Sequence, residues 1–199
     1  MKRLTLILAA ALCLAACEKL PLQKQYKYDP KPLDPNQGVN CWQYISSSDN
    51  LSTMKTAIEL CGLTDYYSTS ESKYTYLLLD ETAFNSHILQ KAAVPSVAEM
   101  DPDELTNLLL FHIIKGSYSS YYGTISYDPE HVITLWKSQD AVMTIKLFDA
   151  VSTHSQKQQD RVTLMDQCGS STVVNATSSD ILMTNGPAHI LSRPCIYTR

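Results

Sequence analysis

Apolar residues recur along this chain in two rhythms, and the rhythm changes past its middle. Over residues 49–61, DNLSTMKTAIELC places Met54, Ala57, Ile58 and Cys61 at helical spacing, and Gly62 is a suitable stop. Residues 73–80, KYTYLLLD, set aromatics, a threonine and an aliphatic run between polar ends and predict a strand. Residues 82–93 predict a short helix with Phe84, Ile88 and Leu89 on one side. The strongest local signal is Asp101-Pro102-Asp103-Glu104: an N-cap, a proline suited to the first helical position, and a glutamate placed for a capping box. The following LTNLLLFHII predicts a helix running to Gly116. Leu105, Leu108, Leu109 and His112 share one face, and Leu110, Phe111, Ile113 and Ile114 widen the apolar surface until the helix must be buried on most sides.

Past Gly116 the period shortens. A Tyr- and Ser-rich loop, SYSSYYGTISYDPEH, leads into four strand-like runs over 132–137, 142–148, 161–166 and 171–176, with a polar loop at 152–159. The closing stretch DILMTNGPAHIL predicts two short strands around Asn185-Gly186, a tight-turn dipeptide whose members both tolerate positive φ. Helices come first and strands later, without βαβ alternation, so the expected fold class is α+β.

The N-terminus follows neither rhythm. In MKRLTLILAAALCLAAC, Lys2 and Arg3 precede an apolar core over 4–16. That core is shorter than the roughly 20 residues a spanning helix needs, and it suits a secretory signal. Leu14-Ala15-Ala16-Cys17 resembles the bacterial lipobox, which makes Cys17 the expected lipid attachment point. The expected organisation is a signal peptide at 1–16, a lipidated cysteine with a tether at 17–40 interrupted by Pro21, Pro30, Pro32 and Pro35, and a folded domain at 41–199. The membrane is then a partner through acyl chains, each buried methylene contributing about 0.8 kcal/mol.

Composition narrows the chemistry. Loss of Lys2 and Arg3 would take the formal charge from −4 to −6, which disfavours nucleic acid and anionic lipid surfaces as partners. HExxH, GxSxG, the P-loop and GxGxxG are all absent. Asp80-Glu81 and the acidic residues at 101–104 read as helix caps and solvated charge rather than an acid/base pair. Cys41, Cys61, Cys168 and Cys195 have no zinc-motif spacing. In an exported protein they allow three disulfide pairings, and buried free thiols are equally compatible with the sequence. No catalytic residue, metal site or cofactor is expected.

Three segments in order resemble the fasciclin, or FAS1, domain. TYLLLDETAFNSH resembles the family's early motif through Asp80, Glu81, Ala83 and Phe84. LTNLLLFHIIKG is similar to its Leu-rich helix ending in an aromatic-His pair, here Phe111-His112. DILMTNGPAHIL resembles the closing motif through Asp180, Ile181, Asn185, Gly186, His189 and Ile190. The departures are Pro187, where the family has an apolar residue able to donate to a ladder, and Leu77-Leu78-Leu79 in place of Phe-Ala-Pro. The resemblance implies a small twisted β-sandwich or wedge with several packed helices. It also implies a non-catalytic adhesion or binding module with a protein, matrix or glycan ligand. His189 and His112 are then structural groups that hydrogen-bond backbone near the turn and at the helix end. Asp180 occupies the place of an Asp-Ile associated with integrin binding in animal members; beside a lipobox it is read as capping a turn. With its tether, the chain looks like outer-membrane lipoproteins of Bacteroides-type bacteria, where the surface or periplasmic face is open. There the alternative role is an accessory glycan-binding lipoprotein of a polysaccharide-uptake system. The candidate ligand surface is Tyr118, Tyr121, Tyr122 and Tyr127; the competing reading packs two or three of them onto the Leu-rich helix.

Overall fold

Leu77, Leu78 and Leu79 are consecutive and all fully buried, which a strand with one wet face could not achieve. They lie in β1 (Tyr74–Leu79) of a computed structural model that describes residues 36–138, 141–148, 161–164 and 173–195. β1 pairs antiparallel with β2 (Ile113–Lys115). The other first-sheet strands are β7 (Ser178–Met183) and β8 (Gly186–Leu191), antiparallel to each other. β8 runs parallel to β1, so the order of this sheet is β2-β1-β8-β7.

The second sheet takes its strands in chain order, all antiparallel: β3 (Glu130–Ile133), β4 (Val142–Phe148), β5 (Arg161–Leu164) and β6 (Val174–Asn175). Alternation on these strands turns Val132, Met143, Ile145, Leu147, Val162, Leu164 and Val174 into the core. The sheets are tied where Ile114 bridges Thr134 and the Leu135 N–H donates to the Ile113 carbonyl at 2.9 Å. The fold is α+β.

Among the described residues, five helical segments labelled α1 to α5 pack with the sheets. α1 (Cys41–Ser47) starts at a reciprocal capping box between Asn40 and Gln43, too short to announce itself by period. A 3-10 turn, Asp49–Leu51, leads into α2 (Ser52–Leu60), and α3 (Thr64–Ser68) follows. α4 (Glu81–Ala83) continues as a π-helical turn, Phe84–Leu89, and a last α-turn, Gln90–Ala92. α5 is Pro102–Phe111, with the Asp101 carboxylate accepting from the Asp103 and Glu104 amides. The Asp80-Glu81 pair divides its work. Asp80 accepts from the Ala83 N–H and caps its own helix, whereas Glu81 accepts from the amide and hydroxyl of Thr53 and the hydroxyl of Ser52, capping α2 from outside. Partial burial pushes the Glu81 carboxyl upward, but those bonds outweigh it and hold the pKa below the ordinary value.

Several expectations change in the structure. The helix expected to reach Gly116 stops at Phe111, because the His112 ring takes the Leu108 carbonyl that a continuing helix would use, at 2.8 Å. The β-branched Ile113 and Ile114 then go into β2. The strand expected at 132–137 lies at Glu130–Ile133; beyond Thr134 the chain turns toward β2. The tether expected over 17–40 overlaps the fold at its end: the Gln37 N–H donates to the Leu182 carbonyl and the Thr184 N–H to the Val39 carbonyl. Cys41, Cys61 and Cys195 are free thiols. Cys17, Cys168, the polar loop at 152–159 and the ends of the runs at 161–166 and 171–176 lie outside the described residues.

The closing hairpin is offset by one residue from its sequence reading. Met183 pairs with Gly186, so the two-residue loop is Thr184-Asn185, and of residues 184–186 only Gly186 has positive φ, at 136°. Pro187 keeps register opposite Leu182, at the second position of β8. Gly186 is required by close approach: a Cβ there would lie 2.1 Å from the Tyr74 carbonyl oxygen. Gly186→Ala should therefore destabilise the protein by about 3 kcal/mol or more, read from the urea unfolding midpoint, because both strain and a backbone clash must be relieved.

Candidate functional site

The closing motif and the tyrosine loop, far apart in sequence, meet at a β-bulge. Ser178 pairs with Ile190 and Ile181 with Ala188, so Ser179 and Asp180 together face His189. A bulge removes one residue from the ladder and re-aims its side chain. Asp180 takes φ 58°, in the left-handed region that Asp tolerates better than most residues. Its freed N–H donates to His189 Nδ1 at 3.2 Å.

The Asp180 carboxylate then reaches the loop. It accepts from Ser119 Oγ at 2.7 Å, from the Ser120 N–H at 2.9 Å and from the Ser120 hydroxyl. On the same side His189 Nε2–H donates to the Tyr118 carbonyl at 3.1 Å. Thr75, on β1, holds the loop's entry by donating to the Gly116 carbonyl and accepting from the Tyr118 N–H, both at 2.8 Å. Ser119 and Thr124 close the loop's base through three bonds, and the Gly123 N–H closes the turn onto the Ser120 carbonyl.

At the tip of that turn stand Tyr121 and Tyr122, exposed by 62% and 57%, their rings edge to face at 5.4 Å and 79°. Tyr127, further along, is also exposed. Tyr118 is half-buried and lies against Gly116. The reading that packs two or three tyrosines onto the Leu-rich helix does not describe this arrangement: three of the four point to solvent, because the backbone bonds to Asp180 and His189 set the loop's course. Sequence reading picked out the tyrosines but not Ser119, Ser120 and Thr124, whose small hydroxyls carry no periodic signal.

The other motif residues lie around β1 and β8. Ala83, Phe84 and Phe111 are buried, and Ile181 is half-buried. Asp80 accepts from the Ser192 hydroxyl just after β8 at 2.5 Å. Asn185 is fully buried: its Oδ1 accepts from the Cys41 N–H at the start of α1, and its amide donates to the Tyr67 carbonyl and the Tyr76 hydroxyl. Its place in a tight turn gave no sign of this burial; its position under α1 makes it a buried hub.

Both histidines are fully engaged as neutral rings. His112 donates from Nδ1 to the Leu108 carbonyl and accepts at Nε2 from the Cys195 N–H at 3.0 Å. Burial lowers its pKa to about 4, against a smaller upward pull from the Leu108 bond. Burial also lowers His189, outweighing Asp180 and the Tyr118 carbonyl. Each must stay neutral, since one nitrogen of each accepts from a backbone N–H. The Cys195 thiol is pushed up by burial and is not a ready nucleophile. Among the described residues no group of three or more His, Cys, Asp or Glu is placed to hold a metal ion.

Two outcomes follow from this geometry. Asp180→Ala should speed amide exchange at Ser120 and Tyr121, measured by hydrogen–deuterium exchange, while the β4 amides keep their protection. His112 is depressed in the fold, so the unfolded chain binds more protons between about pH 4 and 6.5; the stability it contributes is complete above that window and lost as pH falls through it. His112→Gln should flatten that part of the stability–pH curve, measured by urea midpoints across the range.

The family model for the fasciclin domain matches residues 49–196. Among solved structures the chain is similar to a FAS1 domain pair from the insect cell adhesion molecule fasciclin I, at 12% identity and a TM-score of 0.54. The alignment covers 80% of this chain and 51% of that one, so this chain spans about half the length of the pair. No curated protein matches. The Asp-Ile and Asn-Gly-x-x-His pattern that builds the bulge, the turn and the clamp on the loop thus lies within a matched domain, and the chain belongs to the fasciclin domain family.

Proposed function

We propose that this chain is a lipid-anchored binding module of the cell envelope, non-catalytic, with the tyrosine loop as its contact surface. The observation that carries the reading is the display of Tyr121 and Tyr122: two large amphipathic rings held in solvent on a turn whose backbone is fastened to half-buried Asp180 and buried His189. Exposed apolar faces are retained where they meet something, and a pre-ordered loop loses little entropy on binding. Fasciclin domains are adhesion-type modules, and the solved pair of similar fold comes from a cell adhesion molecule, which supports a protein or matrix partner. Histidines with both nitrogens committed to backbone argue against acid–base work.

The anchor belongs to the same reading. Cys17, after Leu14-Ala15-Ala16, would carry acyl chains in an outer-membrane lipoprotein, with the domain on the surface or the periplasmic face. A second role, accessory glycan binding in a polysaccharide-uptake system, draws on the exposed faces of the same tyrosines, which suit stacking on sugar rings. The near-perpendicular rings of Tyr121 and Tyr122 make a contoured surface rather than a flat platform, and this favours the protein partner.

The double variant Tyr121→Ala with Tyr122→Ala should lose retention on the matrix proteins or glycans that hold the parent, by roughly a hundredfold in affinity, with an unchanged melting curve; retention equal to the parent's would reject the loop as the contact surface. Cys17→Ser should move the protein from the membrane to the soluble fraction, and continued tight membrane association would reject the anchor.

A further inference from the structure

A cavity of about 540 Å³ opens between the π-helical turn that follows α4, the outer face of α5 and the chain just after β8. Its size falls among small-molecule sites, roughly 300–1,000 Å³. The floor is apolar: Phe111 is buried, Trp136 stands edge-on to it at 5.7 Å and 85°, and Leu108 and Met100 are half-buried beside them. The two helical walls carry opposite charge. Lys91 stands on one and Glu104 on the other, both exposed, and among the described residues neither is in an ion pair.

The backbone is irregular where the first wall is built. The π-helical turn Phe84–Leu89 sets His87 and Ile88 against the cavity, and the segment ends at Ala93, a non-glycine residue at φ 55°. π-turns inside α-helices occur frequently at functional sites, and a left-handed alanine costs on the order of 1 kcal/mol, so both persist only where the surroundings hold them.

We propose that this cavity binds a small zwitterion with an apolar side chain, an amino acid or a dipeptide. The side chain lies on Trp136, Phe111 and Leu108, the carboxylate faces Lys91, and the ammonium faces Glu104. A wholly apolar ligand would leave both rim charges unused. A simple anion would meet Glu104, and a simple cation Lys91. An internal stretch of a longer peptide brings neither terminal charge. The ligand is bound and not transformed: Cys195, the thiol in the wall, is held protonated by burial.

Trp136 reports on its own site, so the test is emission of the full chain carrying Trp42→Phe, titrated with L-phenylalanine, the dipeptide Leu-Phe, phenethylamine and 3-phenylpropionate. At least one zwitterion is expected to bind roughly tenfold more tightly than either singly charged analogue, the worth of one charge-assisted hydrogen bond. The tighter of the two zwitterions gives the ligand's length. Lys91→Gln should remove the advantage over phenethylamine, and Glu104→Gln the advantage over 3-phenylpropionate, with melting curves unchanged because both side chains are exposed. Equal binding of all four probes, an advantage that survives both substitutions, or no response at millimolar concentration would overturn the proposal.

Discussion

Strand β8 has no free side. It lies between β1 and β7, so the polar groups along it and in its turn must find partners inside the protein, and an unmet buried donor or acceptor costs about 1–3 kcal/mol. Much of the architecture is the set of answers to that demand. Asn185 is met by the first amide of α1 and by the Tyr67 carbonyl and Tyr76 hydroxyl, which fixes the entry of the chain over the sheet. His189 is met by the Asp180 N–H and the Tyr118 carbonyl, which fixes the bulge and the start of the tyrosine loop. Ser192, just beyond the strand, is met by Asp80, which joins the end of the sheet to the cap of α4. Among the described residues one buried side-chain atom is left over, the Tyr67 hydroxyl, for which the structure supplies no hydrogen-bond partner.

The two histidines show how the same side chain serves two masters. His112 holds its proton on Nδ1 and accepts at Nε2; His189 does the reverse. In each case the ring joins two backbone groups that secondary structure leaves unpaired, one at a helix end and the other at a bulge. A ring used in this way is a neutral strut. Its chemistry is spent on structure: His112 ties the end of α5 to the chain after β8, and His189 ties β8 to the start of the loop that carries the exposed tyrosines. The proposed contact surface, built so, differs from a mobile loop, which must be ordered when a partner arrives.

Particular residues show how far local sequence reaches. Residues 142–148 put Met143, Ile145 and Leu147 at every second position, facing the core, and the strand was readable to its ends. Asp101 and Pro102 marked the start of α5 because capping is a contact between neighbours; Glu104 enters that cap through its N–H and not through the side chain the capping box would use. The end of that helix was not readable. Ile113 and Ile114 continue an apolar pattern that suits a helix as well as a strand, and only the pairing with β1 separates the two. The burial of Asn185 was not readable either: a turn residue is ordinarily wet, and here α1 lies across it. The cavity under Trp136 left no trace in the sequence, since its walls come from segments with no common period.

Sequence by itself determined the α+β class, the strand and helix cores, the order of the fasciclin motifs and the choice of tyrosines as candidate contacts. These follow from periodicity, capping and local composition, which operate within a few residues. Tertiary structure alone decided that β1 and β8 run parallel, that Asp180 leaves its ladder to hold Ser119 and Ser120, that three tyrosines face solvent, and that Lys91 and Glu104 face one cavity. Those outcomes depend on which distant group satisfies a buried donor or acceptor, and that is fixed when the chain closes on itself.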